Sequence, residues 1–257
     1  MLRIATWNVN SVRVRLEQLG HWLRGAQPDL VVLQETKVRD ADFPAAVFEA
    51  LGYHVLYSGE RTYNGVAILA RRLPEQVIRD LPGPADPQRR LLCARYGELT
   101  LVNVYVPNGA AVGSEKYRYK LAWLARLKDY AAALVRERGQ VILLGDFNIA
   151  PADEDVHDPA AWAGSVLVSA PEREALQGIL TTGYADTFRL FEQPSASFSW
   201  WDYRGGAFRR NHGLRIDLIL ASEGLKARCQ RCTIEKSLRA LPQPSDHAPV
   251  VLELSEE

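Results

Sequence analysis

The sequence predicts an α/β fold: a four-layered α/β sandwich, two mixed β-sheets face to face with helices outside, and an internal pseudo-twofold duplication. Three observations lead there. Apolar runs of strand length, such as Val141-Ile142-Leu143-Leu144, are separated by segments of helical periodicity. The order strand, helix, strand, strand occurs twice along the chain. In both halves the strands end in Asn, Glu, Asp or Tyr, at the position where α/β sheets gather their ligands.

The first half opens with Leu2–Asn8, an apolar strand with a polar end. Val12, Leu16, Leu19 and Leu23 then recur at helical spacing, with Ser11 as the expected N-cap and Gly25 past the end. Strands follow at residues 30–35 and 65–69. The second half repeats the order with Leu99–Tyr105. Next come Leu121, Leu124, Leu127, Ala131 and Leu134 at helical spacing behind Ser114, with Gly139 as the stop. Strands are expected at residues 141–148 and 214–220. A further helix opens at Ser169-Ala170-Pro171-Glu172, which has capping-box spacing, and ends by Gly183. The Pro-rich stretch 81–87 reads as a surface loop. Nothing resembles a linker, so residues 1–257 are expected to form a single domain.

Composition narrows the class. The 257 residues are 47% hydrophobic and 24% charged, with a formal net charge of zero. That balance excludes a protein held to nucleic acid by bulk charge alone, while leaving room for a local basic face at Arg71-Arg72, Arg89-Arg90 or Arg209-Arg210. No stretch reaches the roughly 20 apolar residues of a membrane span. The N-terminus enters a strand-like run directly, with no secretion leader, so a cytoplasmic protein is expected. Cys93, Cys229 and Cys232 are too few for a disulfide framework, and Cys229-x-x-Cys232 lacks a second Cys or His pair for zinc. Free thiols are the expectation.

The chemistry is concentrated at strand ends. Asp146 and Asn148 close the apolar run 141–144. A carboxylate there needs a partner, because burying it alone costs several kcal/mol, as a rough figure. It either caps the next loop or serves a site. Asn8, Glu35, Tyr105, Asp146, Asn148 and Asp217 are expected to converge on one cleft. Pro244-Ser245-Asp246-His247-Ala248-Pro249 adds an imidazole in a rigid turn ahead of a final strand. Oxygen donors with a single His suit Mg²⁺, with Mn²⁺ as the alternative, better than zinc. Neither a Walker A loop nor a Gly-x-Ser-x-Gly elbow is present. Metal-assisted hydrolysis of a phosphoester fits this residue set.

The motif series strengthens that reading. Thr6-Trp7-Asn8-Val9-Asn10, Leu33-Gln34-Glu35-Thr36-Lys37, Val104-Tyr105-Val106-Pro107-Asn108-Gly109, Leu144-Gly145-Asp146-Phe147-Asn148, Leu214-Arg215-Ile216-Asp217 and Ser245-Asp246-His247 run in order along nearly the whole chain. Together they resemble the exonuclease III type of apurinic/apyrimidinic endonucleases, within the DNase I-like endonuclease/exonuclease/phosphatase superfamily. Ala185-Asp186-Thr187-Phe188-Arg189 and Phe198-Ser199-Trp200-Trp201-Asp202-Tyr203-Arg204 resemble the DNA-repair branch in particular.

The resemblance implies roles. Glu35 would be the principal metal ligand, with Asn8 and Asn10 beside it. Asp246 would support a metal or hold the His loop. Asp217 would orient His247, and either His247 or Asp146 would act as general base. Asn148, Tyr105 and Asn108 would donate hydrogen bonds to the scissile phosphate. Trp200, Leu214 and Ile216 would line a pocket for a base-free sugar. Arg204 would wedge into a groove, and Arg13, Lys37 and Lys116 would meet phosphates. Ala111 stands where some relatives place an Arg wedge.

The implied enzyme is a Mg²⁺-dependent monomer acting on double-stranded DNA. It would cut 5′ to an abasic site, leaving 3′-hydroxyl and 5′-deoxyribose phosphate ends, and it would trim blocked 3′ ends by exonuclease and phosphatase action. A nucleoid-associated activity in the cytoplasm is implied. The alternatives are a phosphatase or lipid phosphodiesterase of the same superfamily, and a 3′-exonuclease with weak abasic activity. A non-catalytic binder would show eroded carboxylates and a basic pI, whereas the motif acids are intact and the pI is about 7.0.

Overall fold

A computed structural model describes residues 1–256. Among them, two six-stranded mixed sheets pack face to face. The first sheet runs, in spatial order, β11 (Cys229–Ile234), β12 (Val250–Leu254), β1 (Leu2–Asn8), β2 (Leu30–Gln34), β4 (Val66–Ala70) and β3 (His54–Ser58). The second runs β5 (Gln76–Ile78), β6 (Leu91–Tyr96), β7 (Leu99–Tyr105), β8 (Val141–Asp146), β10 (Asp217–Ser222) and β9 (Tyr184–Asp186). β1 and β2 are parallel, as are β7 and β8, and the other neighbours are antiparallel.

The duplication is therefore real at the centre of each sheet, where β1-β2-β4 corresponds to β7-β8-β10. The chain halves do not each build one sheet, however. The pair β5-β6 precedes β7 in sequence, whereas its counterpart in the first sheet, β11-β12, comes from the C-terminal end. Leu2 of β1 pairs with Leu254 of β12. The first sheet closes only when the two ends of the chain meet.

Side-chain alternation sorts each strand into two faces. Ile4, Val32, Ile68, Leu101, Ile142, Leu144, Ile219 and Leu252 fill the space between the sheets. Trp7, Val31 and Leu33 face outward onto the helix Leu16–Ala26, meeting Leu19, Trp22 and Leu23. Val102, Val104, Val141 and Leu143 face the long helix Glu115–Arg138 and its neighbour Ala170–Leu180. That gives four layers. The same alternation points Thr6, Asn8, Gln34, Asn103, Tyr105 and Asp146 inward. A polar layer joins the sheets below the strand ends. Gln34 Nε2 donates to Asn103 Oδ1 at 2.8 Å, and Asn103 Nδ2 donates to the carbonyls of Leu33 (3.0 Å) and Ala67 (2.9 Å).

The helix signals held at two of three helices. Ser114 caps the long helix by accepting from Tyr117 N–H at 3.1 Å, and Gly139 ends it at φ 73°. Glu172 accepts from Ser169 N–H at 3.2 Å, completing the expected cap. The first helix begins at Leu16, not behind Ser11. Ser11 N–H is spent on Glu35 O (2.8 Å) and Val12 N–H on Thr36 O (3.1 Å), so residues 11–12 are tied to the exit of β2. Gly25 lies inside that helix, which ends at Gln27, φ 45°.

The strand at 214–220 also starts later than expected, at Asp217. Leu214 exchanges backbone hydrogen bonds with Trp200 instead, both at 2.9 Å. Glu35 and Asn148 lie just past their strands at φ 50° and φ 49°. The Cys229 and Cys232 thiols are free and buried on β11, and Cys93 is free and buried too. No helix among the described residues is long and apolar enough to cross a membrane.

Gly145 is required by close approach. It sits at φ 149°, and a Cβ there would lie 1.9 Å from the Val104 carbonyl oxygen across the β7–β8 pair. Gly145→Ala is expected to lower unfolding stability by about 3 kcal/mol or more, since backbone must move at the central parallel pair. Urea denaturation checks this, and a loss below about 1 kcal/mol would show that the pair can yield there.

Candidate active site

The inward-facing polar ends of β1, β2, β7, β8 and β10 meet at one edge of the sandwich. Asn8 stands between the sheets. Its Nδ2 donates to Glu35 Oε1 and to Asp146 Oδ2, each at 2.9 Å. One amide thus bridges a carboxylate from each sheet. Its Oδ1 accepts from Asn10 N–H at 3.0 Å.

His247 arrives on the turn before β12. Its Nδ1 lies 2.8 Å from Asp217 Oδ2, and its Nε2 lies 3.8 Å from Asp146 Oδ2. The turn is held from both sides. Ser245 Oγ donates to Asn8 O at 2.6 Å, and Trp7 Nε1 donates to His247 O at 3.1 Å. Ser199 Oγ donates to Asp217 Oδ2 at 2.7 Å and accepts from the backbone N–H of Asp217 at 3.0 Å. The imidazole is 4% exposed and Asp146 is 1% exposed, so these charges interact through little solvent.

Burial sets the ionisation. It raises the Asp146 carboxyl to about 7, with neighbouring Asp217 and Glu35 adding to the rise and His247 opposing it. Burial would lower His247, but Asp217 and then Asp146 outweigh it and raise the imidazole to about 10. Glu35 and Asp246 go the other way. Burial opposes ionisation of each, yet Lys37 holds Glu35 below its usual range and His247 does the same for Asp246. Burial, then Glu35 and Asp146, push the Tyr105 hydroxyl well above its ordinary value, so it stays a proton donor.

Asn148 N–H donates to Asp146 Oδ1 at 2.9 Å, and its Nδ2 donates to Val106 O at 3.0 Å. Asn108 Nδ2 reaches Asn148 Oδ1 at 3.1 Å. Lys37 Nζ lies 2.8 Å from Glu35 Oε2 and donates to Asn10 Oδ1 at 2.5 Å. Asp246 has both oxygens engaged, by Asn10 Nδ2 at 2.9 Å and by Trp200 Nε1 at 3.0 Å. In this arrangement it ties the His247 turn to Trp200.

Asn8, Asn10, Glu35, Lys37, Tyr105, Asn108, Asp146, Asn148, Trp200, Asp217, Asp246 and His247 are thus in one connected group. Lys116 lines an adjoining cavity of about 440 Å³ with Tyr63, Arg90, Tyr105 and Asn108. Arg13 is exposed and pairs with Asp42 at 3.7 Å, and Arg204 is exposed on a short turn. Leu214 and Ile216 are 0% and 1% exposed, packed with Ala150, Val156, Leu167 and Val168 behind Trp200. Of the expected apolar wall only Trp200 reaches the surface, and Trp162 stands edge-on beside it.

Ser199, Ser245 and Trp162 escaped the sequence reading as site residues. Serines at strand and turn ends carry no local signal. Their roles follow only from long-range pairing, although Ser245 stood inside the quoted Ser-Asp-His motif.

A metal would fit. Glu35, Asp146 and His247 each offer a ligand atom, all within 4.8 Å of one another. The buried Asp217 Oδ1 has no hydrogen-bond partner among the described residues. Oxygen donors dominate, as a hard divalent cation requires.

The His247 charge has a consequence for metal-free stability. Its folded pKa lies above the unfolded value, so its contribution is full below about 6.5 and is lost as pH rises through about 10. In EDTA, the melting temperature of the wild type is therefore expected to fall relative to His247→Gln between about pH 6.5 and 10. Parallel melting curves across that range would show that His247 is not held protonated by Asp217 and Asp146.

With the geometry in place, comparison with known proteins is direct. Residues 5–247 match the model of the Endonuclease/Exonuclease/phosphatase family. The chain is 36% identical to exodeoxyribonuclease III of Haemophilus influenzae, with 97% of this chain and 98% of that protein covered. Among solved structures, a 3′ phosphatase, NExo, from Neisseria, bound to a product DNA hairpin, superposes with a TM-score of 0.98 at 43% identity, both chains covered in full. An AP endonuclease from Archaeoglobus fulgidus superposes with a TM-score of 0.96 at 39% identity, again with both chains fully covered. Motifs, fold and full-length likeness agree: the chain belongs to the endonuclease/exonuclease/phosphatase family, among relatives of exodeoxyribonuclease III type.

Proposed function

We propose that the protein is a Mg²⁺-dependent DNA-repair nuclease that hydrolyses the phosphodiester 5′ to an abasic site in duplex DNA and removes blocked 3′ ends. The observation that carries this is the row Asp217–His247–Asp146, facing Glu35 and the Asn148 side-chain amide at one edge of the sandwich.

The ionisation states divide the labour. His247, raised to about 10 and gripped by Asp217, is an imidazolium at neutral pH. In that state it donates a hydrogen bond to a phosphate oxygen and is neither base nor metal ligand, which leaves the ion to Glu35 and Asn8. Asp146, raised to about 7, is poised to take a proton from the attacking water and to return one to the leaving 3′-oxygen. Tyr105, Asn148 and Asn108 would meet the charge that develops on the phosphoryl oxygens. Glu35 would hold the metal with Asn8, and the ion would supply Lewis-acid polarisation of the phosphate. Asp246 would hold the His247 turn. Lys37, Lys116 and Arg13 would position the duplex backbone, and Arg204 would enter a groove.

One observation favours a second reading, a 3′-exonuclease or 3′-phosphatase with weak abasic activity. Leu214 and Ile216 are closed over, and Leu167 sits among them at φ 76°, a conformation a branched side chain rarely takes. A sugar pocket with these residues as its floor would have to open first.

A duplex carrying one abasic analogue, compared with a nicked duplex ending in 3′-phosphate, decides between them. Metal-dependent cutting 5′ to the lesion at a rate similar to phosphate release supports the first reading. Phosphate release with incision about 10²-fold slower supports the second. No cutting of either DNA would overturn both. Asp146→Asn is expected to lower turnover by between about 10² and 10⁴-fold while leaving DNA affinity nearly unchanged. Near-normal turnover in that variant would remove Asp146 from the chemistry. If Arg13, Lys37 and Lys116 each meet a phosphate, affinity should fall about 40-fold between about 50 and 200 mM salt. A flat response would show that they do not.

A further inference from the structure

Beneath the loops that follow β7 and β8 lies an ion pair with no exposed surface. Lys120 is on the long helix Glu115–Arg138, and Glu172 is in the first turn of the helix Ala170–Leu180. Both side chains are 0% exposed. The ammonium has three protons and three acceptors. It donates to Glu172 Oε1, to Asn148 O at 2.6 Å and to Asn108 O at 3.2 Å. The two carbonyls belong to the two amide residues that bond each other through Asn108 Nδ2 and Asn148 Oδ1.

Neither backbone would hold this course by itself. Asn148 is left-handed at φ 49°, and Gly109 follows Asn108 at φ 93°. The lysine stem packs so closely that a Cβ on Gly109 would meet Lys120 Cδ at 3.2 Å. Glu172 extends the anchor. It accepts from Leu167 N–H at 3.1 Å and Ser169 N–H at 3.2 Å, fixing the segment that packs against Leu214 and Ile216.

A buried ion pair is an expensive way to stabilise a fold, because apolar residues of the same volume often do as well. Its yield here is direction. One point charge sets the orientation of two carbonyls, and with them the side chains on the same residues.

We infer that Lys120, held by Glu172, is a positioning residue that fixes the paired Asn108 and Asn148 amides beside Asp146, where the scissile phosphate would lie. This rests on the nuclease reading above. The pair touches no reacting atom. Its effect should appear in turnover, because a misplacement of about 1 Å costs roughly 10²-fold in rate.

Lys120→Met alone strands the Glu172 charge and is apt to unfold the protein, so the test uses Lys120→Met with Glu172→Gln, which is neutral and of similar size. Turnover is measured on whichever of the abasic and 3′-phosphate duplexes the unaltered protein consumes, with affinity measured in EDTA and melting followed in parallel. The expected result is a folded protein, affinity within about twofold, and kcat lowered about 10²-fold.

The same pair of changes is then made in an Asn148→Ala background. If Lys120 acts through Asn148, the further loss there is no more than about threefold. Losses that multiply in full, or kcat unchanged in the first comparison, overturn the inference.

Should the unaltered protein cut neither DNA, the nuclease reading fails first. The inference is then read from the side-chain amide NMR resonances of Asn108 and Asn148. They must move toward free-amide positions in the double variant, and unmoved resonances overturn it.

Discussion

Everything at the cleft depends on one electrostatic constraint. Packing two sheets face to face brings Glu35 from one and Asp146 from the other onto the same amide, Asn8 Nδ2. Asp217 and Asp246 complete an acidic set around them. Four carboxylates at a largely buried edge would repel one another strongly. Asn8 alone cannot offset that. His247 can, because its Nδ1 reaches Asp217 at 2.8 Å while its Nε2 faces Asp146. Lys37 does the same for Glu35. The site is charged in order to work and balanced in order to fold, and a divalent cation would shift that balance further.

The fold makes this arrangement possible by grading polarity along β1, β2 and β7. Deep between the sheets the inward positions are Ile4, Val32, Leu101 and Ile142. Nearer the edge they become Thr6, Gln34 and Asn103, neutral groups that hydrogen-bond across the gap. At the edge stand Asn8 and Tyr105, neutral, beside the carboxylates Asp146 and Asp217. On β8 and β10 no such layer intervenes: Asp146 and Asp217 follow Leu144 and Ile219 directly on the inward face, so their charges depend on His247 and Asn8 instead. The neutral layer also locks the spacing of the sheets, since Asn103 of β7 is bound to two carbonyls of the opposing sheet.

Assembly is nonlocal in the extreme. Ser245 Oγ bonds Asn8 O, and Trp7 bonds His247 O, so the turn bearing the imidazole is fastened to the first strand of the chain.

Sequence made the strands legible because two-residue alternation and apolar runs record burial directly. The polar strand ends were legible for the same reason: Asn8, Tyr105 and Asp146 interrupt patterns that should otherwise remain apolar or stop. The long helix was marked by Ser114 and Gly139 through local capping chemistry. Ser11 misled because its backbone is committed elsewhere: its N–H bonds Glu35 O and its φ is 88°, so the helix cannot begin directly behind it. The boundary at Leu214 misled because an apolar, β-prone segment pairs with whichever backbone lies beside it, and Trp200 lies there. Ser199 was invisible as a support for Asp217, since its partner is 18 residues away and only the folded chain joins them. Lys120 was hidden by its surroundings, a lysine between apolar positions on a helix, where solvent exposure is the usual outcome.

The supports on the second sheet differ in kind from those on the first, and the difference follows from what each must hold. The first sheet holds Asn8 at the end of β1, where Ser245 bonds its carbonyl, and Glu35 one residue past β2, while Trp7 of β1 bonds the His247 carbonyl. The second must fix Asn108 and Asn148 on loops, and Asp217 at the first position of β10, where a loop delivers it. It does so with buried ion pairs. Lys120 and Glu172 lie under the two amides, and Arg215 lies between Asp155 (2.6 Å) and Asp186 (2.7 Å), two residues before Asp217. Apolar packing defines a volume but tolerates rotation within it. A guanidinium shared by two carboxylates, or an ammonium shared by two carbonyls, defines direction as well. Donors that must meet charge on a phosphoryl oxygen need direction above all. Segments lacking strand hydrogen bonds would otherwise supply it poorly, which is why costly ionic contacts sit behind the loops of this cleft rather than behind its strands.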